Sequence, residues 1–274
     1  ASVLARVRRR GRPGPRSAAM RPPMRRGLGV AAAAWGGSMA VAATARAEPL
    51  LALGAALDEF GAGGRLQRKA FSRERLFAWV LTRLRVPGPY VELGVQRAAF
   101  SRILLLHLQR LRNTSRGAPR YFLVDKWRHA AREEHYADKA NVPDTRQRAN
   151  LKVAVDSLAR FWPQVSLLQL TSEEAASVFP DGGLGFVYFD ARHDFCAVRD
   201  ELARYWPKVM PGGVMAGDDW GREATLKWPW CANGSRVLGG LQRALEDFVR
   251  ERSLPLHVVH SQWLVQRPLD DLNY

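Results

Sequence analysis

Three aspartates follow two short apolar runs of this chain, and their type and spacing suit the binding of a cation or a polar ligand. Asp190 ends the run 186–190, and Asp218 and Asp219 come just after the run 214–216. A segment with apolar residues at helical spacing and a Pro-Gly-Gly turn lie between the two runs. In an open parallel sheet, the carboxyl ends of neighbouring strands line one crevice, and ligands bind there. We therefore expect the three carboxylates to face a common site.

One candidate ligand for such a site is a cation. Carboxylates that crowd together repel one another, and one pKa rises, unless a positive charge lies among them. Oxygen ligands without Cys or His favour a hard ion such as magnesium. The sequence thus predicts a magnesium site at Asp190, Asp218 and Asp219. In the alternative, Asp218 and Asp219 cap the following segment and Asp190 contacts only a bound ligand.

The elements that position these acids alternate between strand and helix patterns. Apolar runs predict strands at 90–94, 121–125, 165–170, 186–190 and 214–216, and two antiparallel strands at 256–260 and 262–266 close the sheet. Helical spacing predicts helices at 66–84, 100–111, 128–139, 145–161, 198–209 and 237–250, with a short helix that opens on Ser172 as its capping residue. The alternation predicts an α/β fold with a doubly wound, seven-stranded sheet that is mostly parallel and has an antiparallel last strand.

Positive charge is concentrated at the N-terminus. The formal net charge is +16, and ten arginines in residues 1–47, a stretch without any acid, leave +6 for the remainder. That remainder is ordinary for a soluble domain and argues against a nucleic-acid partner. Cys196 and Cys231 are the only cysteines. We expect two partly buried, reduced thiols, because free Cys is commonly buried.

The N-terminal stretch is typical of a targeting leader. Residues 1–26 offer little to bury, so we expect them to be disordered. After Arg25-Arg26, residues 27–45 carry no charge, and an Ala-x-Ala site follows. This order resembles a twin-arginine export signal, and it also resembles a two-part organelle presequence, for a plastid rather than a mitochondrion. A low-complexity tail without an address is the alternative, and its Ala and Gly content argues against a stable membrane span. The predicted domains are a leader at 1–48, a helical extension at 49–87 and the main domain at 88–274.

The first strand and its turn indicate the class of ligand. A dinucleotide-binding turn needs Gly-x-Gly-x-x-Gly, whereas Gly94 is the only glycine of this turn. Two acids stand nearby instead: Glu92 within the first strand and Asp125 at the end of the second. The two oxygens of a carboxylate match the two hydroxyls of a ribose. Asp125 therefore suits an adenosyl ligand, and Glu92 would lie near a cationic end of that ligand.

Four stretches resemble a known family: Tyr90-Val-Glu-Leu-Gly-Val, Leu123-Val-Asp-Lys-Trp, Val187-Tyr-Phe-Asp-Ala-Arg-His-Asp-Phe and Pro211-Gly-Gly-Val-Met-Ala-Gly-Asp-Asp. They are similar to class I S-adenosylmethionine-dependent methyltransferases, and most similar to a small-molecule branch with Asp-x-x-His-Asp-Tyr before a helix that ends in Trp-Pro-x-x-x-Pro-Gly-Gly. The resemblance covers roughly residues 88–267. It implies a Rossmann-like methyltransferase sheet with S-adenosylmethionine as the cofactor.

The same resemblance implies roles for single residues. Glu92 and Gly94 would form the methionine side of the cofactor site, Asp125 would hold the ribose, Ser172 would lie near the adenine, and Asp190 would close the pocket. The family usually has a second glycine where this chain has Ala98, and a histidine where it has Asp218. We expect the methyl group of Ala98 to crowd the cofactor.

The spacing of the acids is also similar to that of metal-dependent O-methyltransferases acting on catechols and sugars. In those enzymes a metal ion holds a vicinal diol and lowers its hydroxyl pKa, and a basic residue stands three positions after the first Asp. His193 occupies that position, which implies a catalytic base beside Asp190. The alternative is a helix-start residue that hydrogen-bonds to Asp194 or to backbone.

The predicted function is methyl transfer from S-adenosylmethionine to a hydroxyl of a small molecule, with the divalent metal left open. One alternative is a non-catalytic protein of the same fold that binds a partner. The other is a nucleic-acid methyltransferase, which usually has Asn/Asp-Pro-Pro-Tyr where this chain has Asp190-Ala-Arg-His. The oligomeric state stays open. Five aromatic residues are candidates for the wall of an acceptor pocket: His135, Tyr136, Trp220, Trp228 and Trp230. The alternative is that they simply pack in the core.

Overall fold

The computed structural model describes residues 52–62, 65–67, 70–111, 119–132, 135–136, 138–221 and 229–270. All of them belong to one compact unit, residues 47–274. The leader predicted at 1–48 lies outside the described residues. No helix within the described ranges has the length and apolarity needed to cross a membrane.

One sheet forms the centre of the described part. Its strands are β1 Tyr90–Leu93, β2 Tyr121–Val124, β3 Val165–Leu168, β4 Leu184–Phe189, β5 Val209–Gly217, β6 His257–Val259 and β7 Gln262–Gln266, in the order β3-β2-β1-β4-β5-β7-β6. Strands β1 to β5 pair in parallel, and β7 pairs antiparallel with β5 and β6. The predicted fold class is therefore confirmed. The strand order reverses between β1 and β4, which is where open sheets of this kind bind ligands.

Helices cover both faces of this sheet. They are α1 Leu53–Ala62, α2 Arg73–Arg83, α3 Ala99–Leu111, α4 Asp144–Leu158, α5 Ser172–Ala176, α6 Phe195–Tyr205 and α7 Gly240–Glu251. Helices α2 and α3 pack on one face through a core that includes Phe77 and Phe100. Helices α6 and α7 pack on the other face through Leu202 and Leu245. Because the central strands are buried on both sides, every residue of β1 and β4 is buried, and this explains their near-continuous apolar sequences.

Two helix predictions are corrected. The helix predicted at 66–84 begins at Arg73, because the Ser72 side chain accepts a hydrogen bond from the backbone N–H of Arg75 and caps the helix there. The helix predicted at 128–139 is not formed by the described residues of that segment. Asn141 and Asp144 accept the backbone N–H groups of Ala130 and His129, at 2.7 Å each, which ties the segment into an irregular loop.

Strand β5 is longer than predicted and includes the Pro-Gly-Gly stretch that was expected to form a turn. The strand is irregular there, since its register with β4 shifts between Leu184 and Phe186. Gly212 has φ +79°, a conformation that glycine adopts without a steric penalty. A Cβ at Gly213 would lie 2.9 Å from the carbonyl oxygen of Gly185. The two glycines therefore let β5 approach β4 closely at an irregular point of the sheet.

The prediction of two reduced thiols is wrong. Cys196, in the first turn of α6, forms a disulfide with Cys231. The two cysteines are 35 residues apart in the sequence, and only the fold brings their Cα atoms to 5.5 Å. The bond links the start of α6 to the segment that leads into α7.

Candidate active site

A cavity of about 460 Å³ opens at the carboxyl ends of β1, β2, β4 and β5. Its volume lies within the range of ligand pockets, roughly 300–1,000 Å³. The cavity is lined by all of the site residues predicted from the sequence: Glu92, Gly94, Asp125, Ser172, Asp190, His193, Asp218 and Asp219. The sheet thus brings the whole predicted set to one place, although individual residues have different partners.

Gly94 directly follows β1, where the backbone passes close to the residue that follows β4. Its φ is +86°, and a Cβ there would lie 2.1 Å from the carbonyl oxygen of Asp190. A side chain would therefore displace the β4 backbone. Asp125 shapes the same turn, because its Oδ2 accepts the backbone N–H groups of Val95 and Gln96 at 3.0 and 2.9 Å. Its Oδ1 accepts the N–H of Trp127 at 2.8 Å.

Glu92 is a buried acid beneath this turn. It is 2% exposed and accepts hydrogen bonds from the hydroxyls of Ser101 and Tyr121. Burial raises the pKa of Glu92 to about 8, although the Ser101 hydrogen bond acts in the opposite direction. Near neutral pH the side chain is therefore largely protonated, and the wall of the cavity here is less negative than the sequence suggests.

Ser172 lies at the start of α5, but it does not cap that helix. The capping residue is Thr171, which forms a reciprocal capping box with Glu174. The Ser172 hydroxyl instead donates to Glu201 of α6. Glu201 is 6% exposed, and burial raises the pKa of its carboxyl to about 7. An acid that is only partly ionised near neutral pH therefore lies next to the position predicted for the adenine.

His193 lies between two of the three predicted metal ligands. Its Nε2 is 3.1 Å from Oδ2 of Asp219 and 3.8 Å from Oδ1 of Asp190. Ligand atoms of these three residues all lie within 4.8 Å of one another. Burial alone would lower the pKa of His193, but the adjacent carboxylates raise it overall. For Asp190, burial raises the pKa, and the opposing effects of His193 and Arg73 do not cancel this.

Asp218, the third predicted metal ligand, has a different set of partners. Its Oδ1 accepts hydrogen bonds from Ser261 and Gln262 at 2.7 and 2.6 Å, and its Oδ2 lies 2.5 Å from Nη1 of Arg73. Desolvation favours the neutral acid, yet the hydrogen bonds and the charge of Arg73 hold the pKa of Asp218 below its usual value. Asp190 and Asp219 therefore both lie next to His193. Asp218 instead binds Ser261, Gln262 of β7 and Arg73.

Comparisons with known proteins concern the segment that carries most of these residues. Residues 91–220 match a family model described as a methyltransferase domain. This segment is a methyltransferase domain. The resemblance to methyltransferases seen in the sequence is confirmed for it. No curated protein sequence matches the chain.

Two solved structures of methyltransferases align with this chain. The calicheamicin methyltransferase CalS11 aligns at 15% identity with a TM-score of 0.51, covering 76% of this chain and 85% of that chain. The O-methyltransferase NovP aligns at 19% identity with a TM-score of 0.48, covering 71% and 78%. At this level of identity the likeness to CalS11 concerns the fold.

Aromatic residues were candidates for the wall of an acceptor pocket. Among them Tyr136 lines the cavity, where its hydroxyl donates to the carbonyl of Ala191 at 3.2 Å. Trp230 packs near His135, with ring centroids 6.3 Å apart. Trp220 packs against the core beneath α6 and α7. Trp228 lies outside the described residues.

Ala98 stands where the sequence resemblance predicts a second glycine. Its φ is +57°, which explains a preference for glycine at this position. Its side chain is fully buried in the core on the α2 and α3 face. The residues that line the cavity on either side are Arg97 and Ala99. The extra methyl group therefore packs into the core and does not crowd the cavity.

Two residues that line the cavity were missed from the sequence. Glu201 shares a helix face with Val198, Leu202 and Tyr205, so an acid among buried apolar residues was a detectable sign. Arg73 had no such sign, because it meets Asp190 and Asp218 across 117 and 145 residues of sequence.

Proposed function

We propose that this chain transfers the methyl group of S-adenosylmethionine to a hydroxyl of a small molecule. The observation that carries the proposal is the cavity of the methyltransferase domain, which combines the Gly94 turn with an imidazole held between two carboxylates. The turn suits a cofactor, and the imidazole with its carboxylates suits the removal of a hydroxyl proton.

The cofactor would lie along the ends of β1 and β2. When bound, S-adenosylmethionine supplies an electrophilic methyl group. Gly94 leaves room at the turn, and Asp125 has acceptor capacity beyond the three backbone N–H groups it already binds. Glu92 would face the cationic end of the cofactor, where ionisation of its carboxyl would balance the positive charge. Ser172 and Glu201 would form the wall of the cavity beside the adenine.

Asp190 and His193 would share the removal of the proton. The Asp190 side chain is 26% exposed, and that of His193 is 7% exposed, so the acceptor hydroxyl reaches Asp190 first. His193 Nε2 holds the proton between Asp190 and Asp219, which stabilise the imidazolium that results. Beyond this step, transfer depends mainly on the orientation of the acceptor oxygen and the methyl group.

Assistance by a divalent metal is the alternative. Asp190, His193 and Asp219 would hold the ion, which would polarise the acceptor hydroxyl. This set contains one nitrogen, so it differs from the oxygen-only set that was predicted for magnesium. An imidazole with carboxylates suits a transition metal at least as well. The guanidinium of Arg73, 3.4 Å from Asp190, opposes a second cation at this site and favours the metal-free mechanism.

Transfer of a labelled methyl group tests the proposal. The full chain is incubated with methyl-labelled S-adenosylmethionine and a panel of catechols and sugars, with and without EDTA. We expect labelled product from at least one acceptor, no effect of EDTA, and a loss of roughly 100-fold or more in His193→Gln. His107→Gln, a change on α3 away from the cavity, is the matched control. Complete inhibition by EDTA would support the metal-assisted mechanism, and cofactor binding without transfer to any acceptor would contradict the proposal.

A further inference from the structure

Arg73 brings a positive charge into the cluster of acids from outside the methyltransferase domain. It is the first residue of α2, whereas the matched domain begins at residue 91. Its Nη1 lies 2.5 Å from Oδ2 of Asp218, 3.4 Å from Oδ2 of Asp190 and 3.2 Å from the hydroxyl of Tyr188. One guanidinium nitrogen therefore contacts the acids that end two neighbouring strands.

The guanidinium is held in place by aromatic packing. Its carbon lies 5.1 Å from the ring centre of Phe100, and that ring stacks on Tyr188 at 4.1 Å. A cation over an aromatic face is stabilised there. Burial opposes the charged form, but Tyr188, Asp190 and Asp218 raise the pKa of Arg73 above its usual value. Arg73 is thus a permanent charge with a defined position.

The guanidinium of Arg73 lies where the sequence predicts a bound cation. Three aspartates at adjacent strand ends need a positive charge among them. Asp218 receives it from Arg73 together with hydrogen bonds from Ser261 and Gln262, and Asp190 shares the same guanidinium. A divalent ion at Asp190 would meet the positive charge of Arg73 at the same carboxylate.

We propose that Arg73 is a positioning residue that serves as the cation of the acidic cluster in place of a divalent metal. It fixes Asp190 for its contact with His193 and makes helix α2 a part of the active site. The effect on catalysis rests on the proposed function. The effect on cation binding does not.

Binding of Mn²⁺ tests the proposal without any methyl acceptor. Wild type and Arg73→Gln, both as the full chain, are titrated with Mn²⁺ while free ion is followed by electron paramagnetic resonance. We expect Arg73→Gln to bind one Mn²⁺ at least about tenfold more tightly than wild type, because its carboxylates have lost their cation. Arg73→Lys keeps the charge and should behave as wild type. Arg83→Gln, on the same helix but paired with Glu59, is the matched control.

Two results would overturn the proposal: Mn²⁺ binding to wild type as tight as to Arg73→Gln, or no Mn²⁺ binding by a folded Arg73→Gln. The wild-type and Arg73→Lys titrations remain decisive if Arg73→Gln does not fold, since tight binding by either one contradicts the idea. With an acceptor in hand, Arg73→Gln should lose about 100-fold in methyl transfer, and Arg73→Lys should recover part of that loss. Failure of every acceptor would count against the proposed function and leave the Mn²⁺ result to decide on Arg73.

Discussion

Glu92 offers a test of the electrostatics of the site through the pH dependence of stability. The pKa of its buried carboxyl is about 8 in the folded protein, against a reference value of 4.5. Ser101 and Tyr121 donate to it, Asp190 raises its pKa and Arg73 lowers it. Because the folded pKa is the higher one, the stabilising contribution is complete below about pH 4.5 and is lost as pH rises through 8.

The size of the loss follows from the two pKa values. At about 1.36 kcal/mol for each pKa unit, the difference between 8 and 4.5 corresponds to an upper bound of roughly 5 kcal/mol. Glu92→Gln keeps an oxygen that can accept both hydroxyls and does not ionise. We expect the variant to match wild type within about 1 kcal/mol at pH 5 and to be the more stable protein by several kcal/mol at pH 9.

Urea unfolding at a series of pH values between 5 and 9 measures this difference. Taking the difference between wild type and Glu92→Gln removes the contributions of other groups that titrate, Glu201 among them. Glu246→Gln, an exposed change on α7, serves as the control and should follow wild type at every pH. Parallel curves for wild type and Glu92→Gln over this range would refute the assignment of a buried, protonated Glu92.

Two further predictions concern the turn after β1 and the disulfide. Ala98→Gly should change the Kd for S-adenosylmethionine, measured by calorimetry, by less than about twofold, because the methyl group packs in the core; a tenfold tightening would show that Ala98 crowds the cofactor. Replacement of Cys196 and Cys231 by Ser should lower the free energy of unfolding by roughly 3–4 kcal/mol, since the bond closes a loop of 35 residues. Dithiothreitol should do the same to wild type and nothing to the variant, and a wild type insensitive to reduction would contradict the pairing.

The sheet could be predicted because its central strands are buried on both faces. Apolar runs such as those of β1 and β4, when they alternate with helix patterns along the sequence, are typical of buried parallel strands. The irregular conformation of the described residues between 126 and 142 could not be predicted in the same way. The sequence pattern is compatible with a helix, but the side chains of Asn141 and Asp144 accept the backbone N–H groups of Ala130 and His129 and hold these residues in an irregular conformation.

The location of the site could be predicted, but not the partner of each acid. Strand ends place Asp190, Asp218 and Asp219 together whatever their orientation. Asp219, with φ +66°, directs its carboxylate to His193, while the residue before it meets Arg73. The side chains of Asp218 and Asp219 thus meet different partners. The partner of Asp218 stands on helix α2, more than a hundred residues away in the sequence. The disulfide was missed for the same reason, because its pairing depends on the fold.

The central claim is that the cavity binds S-adenosylmethionine at the Gly94 turn. Calorimetric titration of the full chain with S-adenosylmethionine tests this most directly, with Gly94→Ala as the variant and Gly221→Ala as the control. Both glycines have a positive φ, +86° and +69°, but an added Cβ at Gly221 meets nothing within 4 Å. We expect one site per chain in wild type and in Gly221→Ala, and a loss of binding in Gly94→Ala, where the Cβ would collide with the Asp190 carbonyl. Absence of binding to folded wild type, or equal binding by Gly94→Ala, would contradict it.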